Sequence, residues 1–157
     1  MKRRGFTLIE LLIVIAIIGI VAAIAIPNLL TALQKGKQKA TMGDMKSIGN
    51  AIESYITDLY MAPQGTGIAI GDLNAVLSPF YIKVLPRQDG WGGPFMYTAS
   101  PAPGPDQDVY SIVSYGRGSV ATGINTLNSP YIITTMAGFE NDICYSNGNF
   151  TYAPKVK

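Results

Sequence analysis

The sequence predicts an α+β protein in which one long N-terminal helix packs on a small antiparallel β-sheet. An apolar run of about 20 residues opens the chain, and apolar residues then recur at spacings of three and four, the period of an amphipathic helix. Beyond residue 61, short alternating segments are separated by clusters rich in glycine and proline, as is typical of strands and turns.

Composition limits the chain to one helical anchor and one small domain. The 157 residues carry a net charge of +2 with 14% charged residues, so no nucleic-acid partner is expected. Histidine is absent and Cys144 is the single cysteine, which excludes an intrachain disulfide, a histidine-based triad and a His-containing zinc site. We therefore expect no enzyme activity, and we expect Cys144 to be a small buried residue.

The N-terminal stretch predicts a single membrane span. The segment from Phe6 to Ile26 is long enough, at 1.5 Å per residue, to cross a hydrocarbon core of about 30 Å. Three basic residues at positions 2–4 precede it and favour an N-terminus on the cytoplasmic side.

Glu10 is the one charged residue inside this apolar run. A carboxylate at the centre of a membrane costs on the order of 2.5–3.5 kcal/mol, and less near the interface, so its presence needs a reason. One interpretation is stabilisation by the dipole of its own helix N-terminus. The interpretation we favour is that Glu10 pairs with a cation supplied by another subunit.

The segment Gly5-Phe6-Thr7-Leu8-Ile9-Glu10 resembles the processing site of type IV pilins and type II secretion pseudopilins. The resemblance implies a pilin fold and cleavage by a prepilin peptidase between Gly5 and Phe6, so that residues 1–5 are a leader peptide and Phe6 becomes an N-methylated terminus. It further implies that Glu10 faces the terminal amine of a neighbouring subunit during assembly.

An ordinary secretory signal peptide is the alternative interpretation of this region. Ala23-Ile24-Ala25 follows the apolar run as an A-x-A pattern, and cleavage there would release a soluble binding module that begins at Ile26. Against it, the run is longer than a usual signal-peptide core and contains Glu10, which ordinary export does not need.

The helix is predicted to continue to about Tyr60, with residues 6–26 as its membrane or fibre-core half and residues 27–60 as its amphipathic half. Pro27 removes one backbone donor, so a bend or local melting is predicted there. The predicted apolar face of the second half comprises Met45, Ile48, Ile52, Tyr55, Ile56 and Leu59.

Residues 61–157 are predicted to form the globular head. A glycine-rich connector at 65–67 leads to a short helix at 72–77. The predicted strands are 95–98, 109–115 and 131–136, separated by an exposed mobile loop at 100–108 and a polar connection at 116–128. Asn147-Gly148 between two alternating arms predicts a β-hairpin over 142–152.

The segment from Tyr81 to Tyr97 is similar to a segment of type II secretion major pseudopilins. It departs from the family at Gly90, where proline is usual, and Trp91 is predicted to be a core residue. Many type IV major pilins close a C-terminal loop with two cysteines, so the single Cys144 also favours the pseudopilin branch.

Calcium is the one cofactor that the sequence suggests. Glu140, Asn141 and Asp142 place three oxygen-bearing side chains in one loop, and clusters of hard oxygen ligands suit calcium. Major pseudopilins bind calcium in a C-terminal loop that this stretch resembles in position, so Asp142 and Glu140 are the candidate ligands.

The resemblance implies a structural subunit of a type II secretion pseudopilus. It would wait in the inner membrane with its head in the periplasm, and its partners would be further copies of itself, minor pseudopilins, the inner-membrane assembly platform and the prepilin peptidase. A type IV pilin on the cell surface is the alternative, because both branches share the N-terminal motif. A membrane-tethered periplasmic enzyme is a third possibility, for which the sequence offers no catalytic constellation.

Overall fold

The computed structural model describes residues 5–100, 106–118, 132–134 and 138–154, with the backbone alone for 132–134. The chain divides into two compact units, Met1–Gln34 and Lys35–Lys157. Helix α1 (Leu8–Leu59) supplies the N-terminal unit and the first part of the second. The predicted long helix is therefore confirmed, and it begins two residues later than Phe6.

The helix continues through Pro27, so the predicted local melting does not occur in this subunit. Proline removes one backbone donor, whereas the helical turns on both sides of it keep their backbone N–H donors. Polar side chains also bond to the backbone here: the Asn28 amide donates to the Ile24 carbonyl at 3.1 Å, and the Thr31 hydroxyl donates to the Pro27 carbonyl at 3.0 Å.

The amphipathic half of α1, from residue 27 to its end at Leu59, buries most of its predicted apolar face. Met45, Ile48 and Ile52 are fully buried, and Tyr55 and Ile56 are partly buried against the same core. The prediction for Leu59 was wrong, because its side chain is 50% exposed. Leu59 is the last helical residue, and the chain turns away immediately after it at Tyr60, whose φ is +58°.

The described residues of the head form a mixed sheet of six short strands. Strand β1 (Thr66–Ala69) leads through a 3-10 turn at Ile70–Leu73 into the one-turn helix α2 (Asn74–Leu77). The remaining strands are β2 (Met96–Ala99), β3 (Tyr110–Ser114), β4 (Ile132–Thr134), β5 (Ile143–Ser146) and β6 (Asn149–Pro154). Their order across the sheet is β1-β2-β3-β5-β6-β4.

Five of the strands pair antiparallel, as predicted, whereas β4 pairs parallel with β6. The hairpin is confirmed: Asn147 and Gly148 join β5 to β6 with φ values of +46° and +82°, the positive sign that a type I′ turn requires. The predicted loop at 100–108 and connection at 116–128 fall largely outside the described residues; Gly116–Gly118 forms a 3-10 turn.

Strand β1 replaces part of the predicted glycine-rich connector at 65–67. The Ala99 N–H donates to the Gly65 carbonyl at 2.7 Å, and the Gly67 N–H donates to the Thr98 hydroxyl at 3.1 Å. The pairing shifts register between Thr66 and Ile68, around Gly67 with a φ of +64°. The prediction was wrong because β2, some 30 residues further along the chain, supplies the pairing that makes this segment a strand.

Candidate processing and assembly site

The Gly5–Phe6 peptide bond lies outside regular secondary structure, just ahead of α1. Phe6 is 75% exposed, and a Cβ added at Gly5 would meet nothing within 4 Å. A peptidase binds its substrate in an extended conformation, and no helical turn would have to unfold here. Cleavage at this bond is compatible with the geometry and stays a prediction.

Thr7 and Glu10 form a reciprocal capping box at the start of α1. The Thr7 N–H and hydroxyl both donate to Glu10 Oε2, at 2.9 and 2.7 Å, and the Glu10 N–H donates to the Thr7 hydroxyl at 3.3 Å. This arrangement satisfies donors that every helix N-terminus leaves free. Glu10 therefore has a partner inside its own subunit, while its contact with a neighbouring subunit stays a prediction.

The apolar side chains of α1 from Leu8 to Leu33 are exposed along the whole N-terminal unit, with Leu8 at 88% and Val14 at 45%. Within the described residues, α1 is the one helix long and apolar enough to cross a membrane; its most apolar window has a mean hydropathy of 3.1 and is not buried. An exposed apolar surface of this extent indicates a region that lipid or other subunits cover.

In the head, the Asp89 side chain stabilises the turn at residues 89–93, which contains Trp91. Its carboxylate is only 7% exposed, and Oδ1 accepts hydrogen bonds from the N–H groups of Trp91 and Gly93, both at 2.9 Å. Oδ2 accepts the hydroxyl of Ser114 at 2.6 Å, which joins the turn to β3. Trp91 packs against the core and is partly buried, in agreement with its predicted core role.

Gly90 brings this turn against α1. Its N–H donates to the Thr41 hydroxyl at 2.9 Å, and a Cβ at this position would lie 2.6 Å from the Lys37 carbonyl oxygen. Proline, the usual residue of the resembled family at this position, lacks that N–H and could not make the bond. The departure noted in the sequence therefore accompanies a close contact between the turn and the helix.

The two candidate calcium ligands occupy different environments. Glu140 is exposed and forms an ion pair with Arg117, whereas Asp142 is only 2% exposed. In the part of the chain that the structure describes, no three His, Cys, Asp or Glu side chains gather as a metal site. Glu140 and Asp142 therefore belong to no such three-residue cluster among the described residues, and the calcium site stays a prediction.

Among the cavities formed by the described residues, two have linings that offer no activated nucleophile. A groove of about 350 Å³ is lined by Ser54, Thr57, Asp58, Phe80 and Tyr81. The hydroxyls of Ser54 and Thr57 donate to backbone carbonyls of α1, at 2.9 and 2.8 Å. A smaller cavity of about 130 Å³ adjoins Asp89. Cys144 is buried, and burial raises the pKa of its thiol, which disfavours the reactive thiolate.

The sequence analysis missed three residues that position these segments: Asp89, Ser114 and Arg117. Asp89 had a local signal, because aspartate ahead of glycines commonly accepts hydrogen bonds from its own turn. Ser114 and Arg117 had none, since their partners lie more than 20 residues away in sequence.

Comparison with known proteins gives two family matches that together cover most of the chain. Residues 1–26 match the prokaryotic N-terminal methylation motif, and residues 28–129 match type II secretion system (T2SS), protein G. No solved structure matches the chain.

Individual relatives agree with these matches. The type II secretion system core protein G of Pseudomonas aeruginosa is 34% identical over 129 residues, covering 74% of this chain and 89% of the relative. The protein of the same name from Aeromonas hydrophila is 33% identical over 138 residues, covering 81% and 95%. A type IV major pilin protein of Myxococcus xanthus is 47% identical over only 57 residues, 36% of this chain and 26% of the pilin.

Proposed function

Because the chain belongs to the type II secretion system protein G family, we propose that it is the structural subunit from which a type II secretion pseudopilus is built. The observation that carries this conclusion is the family match over residues 28–129, which includes the Trp91 turn and β3 and so extends well beyond the shared N-terminal motif. The chain acts by assembling, and catalysis is not part of its role.

Processing comes first in this proposal. A prepilin peptidase cuts between Gly5 and Phe6 and methylates the new amine of Phe6. The methylation motif over residues 1–26 and the position of this bond outside the helix support the step. Before the cut, residues 1–5 lie in the cytoplasm, as the basic residues at positions 2–4 favour. After it, α1 anchors the subunit in the inner membrane, with the head in the periplasm, until assembly.

Assembly then covers the apolar surface of residues 8–33 with the same surface of neighbouring copies. Glu10 pairs with the methylated amine of a neighbouring subunit, which sets the register between copies. Both Thr7 bonds end on Glu10 Oε2, so an ammonium group can approach Oε1 without dissolving the capping box. Minor pseudopilins and the inner-membrane assembly platform are further proposed partners.

Mass spectrometry of the mature N-terminus, from membrane and sheared-surface fractions, tests this proposal. A chain that begins with methylated Phe6, recovered mainly from the membrane fraction, is the expected result. A mature chain that begins at Ile26 would overturn it and identify an ordinary signal peptide.

A surface type IV pilus is the second candidate function, because a stretch of 57 residues is 47% identical to the type IV major pilin protein of Myxococcus xanthus. That likeness covers 36% of this chain and 26% of the pilin, so it supports this candidate less than the longer protein G matches support the first. Methylated Phe6 recovered mainly in the sheared-surface fraction at natural expression would favour this candidate.

A further inference from the structure

The connection that follows β3 lies against the segment before β5. The Arg117 N–H donates to the Phe139 carbonyl at 2.8 Å, and the Arg117 guanidinium pairs with the Glu140 carboxylate. Arg117 thus holds the second segment through its backbone and its side chain together. We name this contact between residues 116–118 and 138–141 the Arg117 clasp.

Gly116 allows the two backbones of the clasp to approach closely. Its φ is +62°, and a Cβ at this position would lie 2.7 Å from the carbonyl oxygens of both Phe139 and Asn141. These carbonyls and the Glu140 carboxylate give the segment at 138–141 several oxygen atoms on one short stretch. Such a stretch suits a cation, and the guanidinium of Arg117 pairs with its Glu140 carboxylate.

We propose that Arg117 joins residues 116–118 to residues 138–141 in place of a divalent cation, so that the head of this chain folds without calcium. The inference rests on the proposed function only in that the family resemblance raises the question of calcium. Calcium takes six to eight oxygen ligands, usually with several carboxylates among them. Here the Glu140 carboxylate is engaged by a fixed positive charge, which would also repel a metal ion placed beside it.

The first test is thermal unfolding of the full-length chain in detergent micelles, with about 1 mM calcium chloride or with excess EGTA. An ion that binds only the folded state raises Tm, whereas an unused ion leaves it unchanged. We expect the two Tm values to agree within about 1 °C. A calcium-dependent rise of several degrees would overturn the inference.

The second test is the rate of limited proteolysis in the clasp, because the ion pair is exposed and local opening is the more sensitive measure. Arg117→Glu should speed cleavage about threefold or more, and adding Glu140→Arg to it should restore the original rate. Arg87→Gln, which removes an exposed arginine elsewhere in the head, is the matched control and should leave the rate unchanged.

The variants also separate the role of the ion pair from a general loss of folding. If Arg117→Glu leaves cleavage unchanged, or if the charge exchange does not restore the rate, the role of the ion pair is refuted. Both tests use the subunit by itself, whereas the proposed function depends on the mature N-terminus and on fibre assembly. Failure of the inference about calcium is therefore distinguishable from failure of the proposed function.

Discussion

The ring of Tyr145 in β5 lies directly over Gly49 of α1, so close that a Cβ at residue 49 would lie 2.2 Å from Tyr145 Cε1. Glycine inside a helix is about 1 kcal/mol less favourable than alanine, so its presence here needs a compensating contact. The compensating contact is the packing of the Tyr145 ring against the helix. The Tyr110 hydroxyl also donates to the Gly49 carbonyl, at 3.4 Å.

Gly49→Ala should therefore destabilise the head by about 1–3 kcal/mol, because the added methyl overpacks a buried ring. Gly43→Ala is the matched control in the same helix: its Cβ would meet nothing within 4 Å, and the change should stabilise by up to about 1 kcal/mol. Thermal or denaturant unfolding of the full-length chain measures both. Equal effects of the two substitutions would contradict the packing argument.

Asp89→Ala should destabilise the head by about 1–3 kcal/mol, because it leaves buried donors without their acceptor. Asp89→Asn should cost less, since its amide oxygen can still accept from the N–H groups of Trp91 and Gly93. The emission of Trp91, the single tryptophan, reports on the turn during unfolding. An alanine variant as stable as the parent would show that the turn holds its shape without this carboxylate.

Asp44 gives the head a predictable pH dependence. Burial raises the pKa of Asp44 above its ordinary value of 3.8, so the folded state binds this proton more tightly than the unfolded state does. The contribution of Asp44 to stability therefore falls as pH rises from about 3.8 through the raised pKa, and the full cost is present at neutral pH.

Asp44→Asn should consequently stabilise the head at pH about 7, and the gain should disappear below the ordinary pKa of aspartate. Unfolding of both chains across this pH range measures the effect. Asp72→Asn, at an exposed carboxylate of the head, serves as the control and should give no such gain. A gain that persists in acid would assign the effect to something other than ionisation.

Substitutions of Glu10 should distinguish membrane insertion of the subunit from its assembly into fibres. Glu10→Val should leave the subunit in the membrane but abolish fibres, because the amine of a neighbouring subunit would lose its buried partner, at about 3–5 kcal/mol per contact. Glu10→Gln keeps an oxygen that can accept from Thr7 and removes only the charge. Electron microscopy and membrane fractionation measure the two steps, and normal fibres from the glutamine variant would refute charge pairing.

The sequence by itself determined the features that short stretches encode. An apolar run, helical spacing from Met45 to Ile56 and the Asn147-Gly148 turn each depend on neighbouring residues, so the anchor, the outer helix and the final hairpin were all predictable. The motif around Gly5 and Glu10 indicated the family for the same reason.

Only the tertiary structure decided which distant segments meet. Strand β1 exists because β2 pairs with it, and β4 joins the sheet in parallel through β6. The contact of Gly49 with Tyr145 and the ion pair of Arg117 with Glu140 likewise join residues far apart in the chain. Hydrogen bonds and packing of this kind depend on position in space, which local residue patterns do not specify.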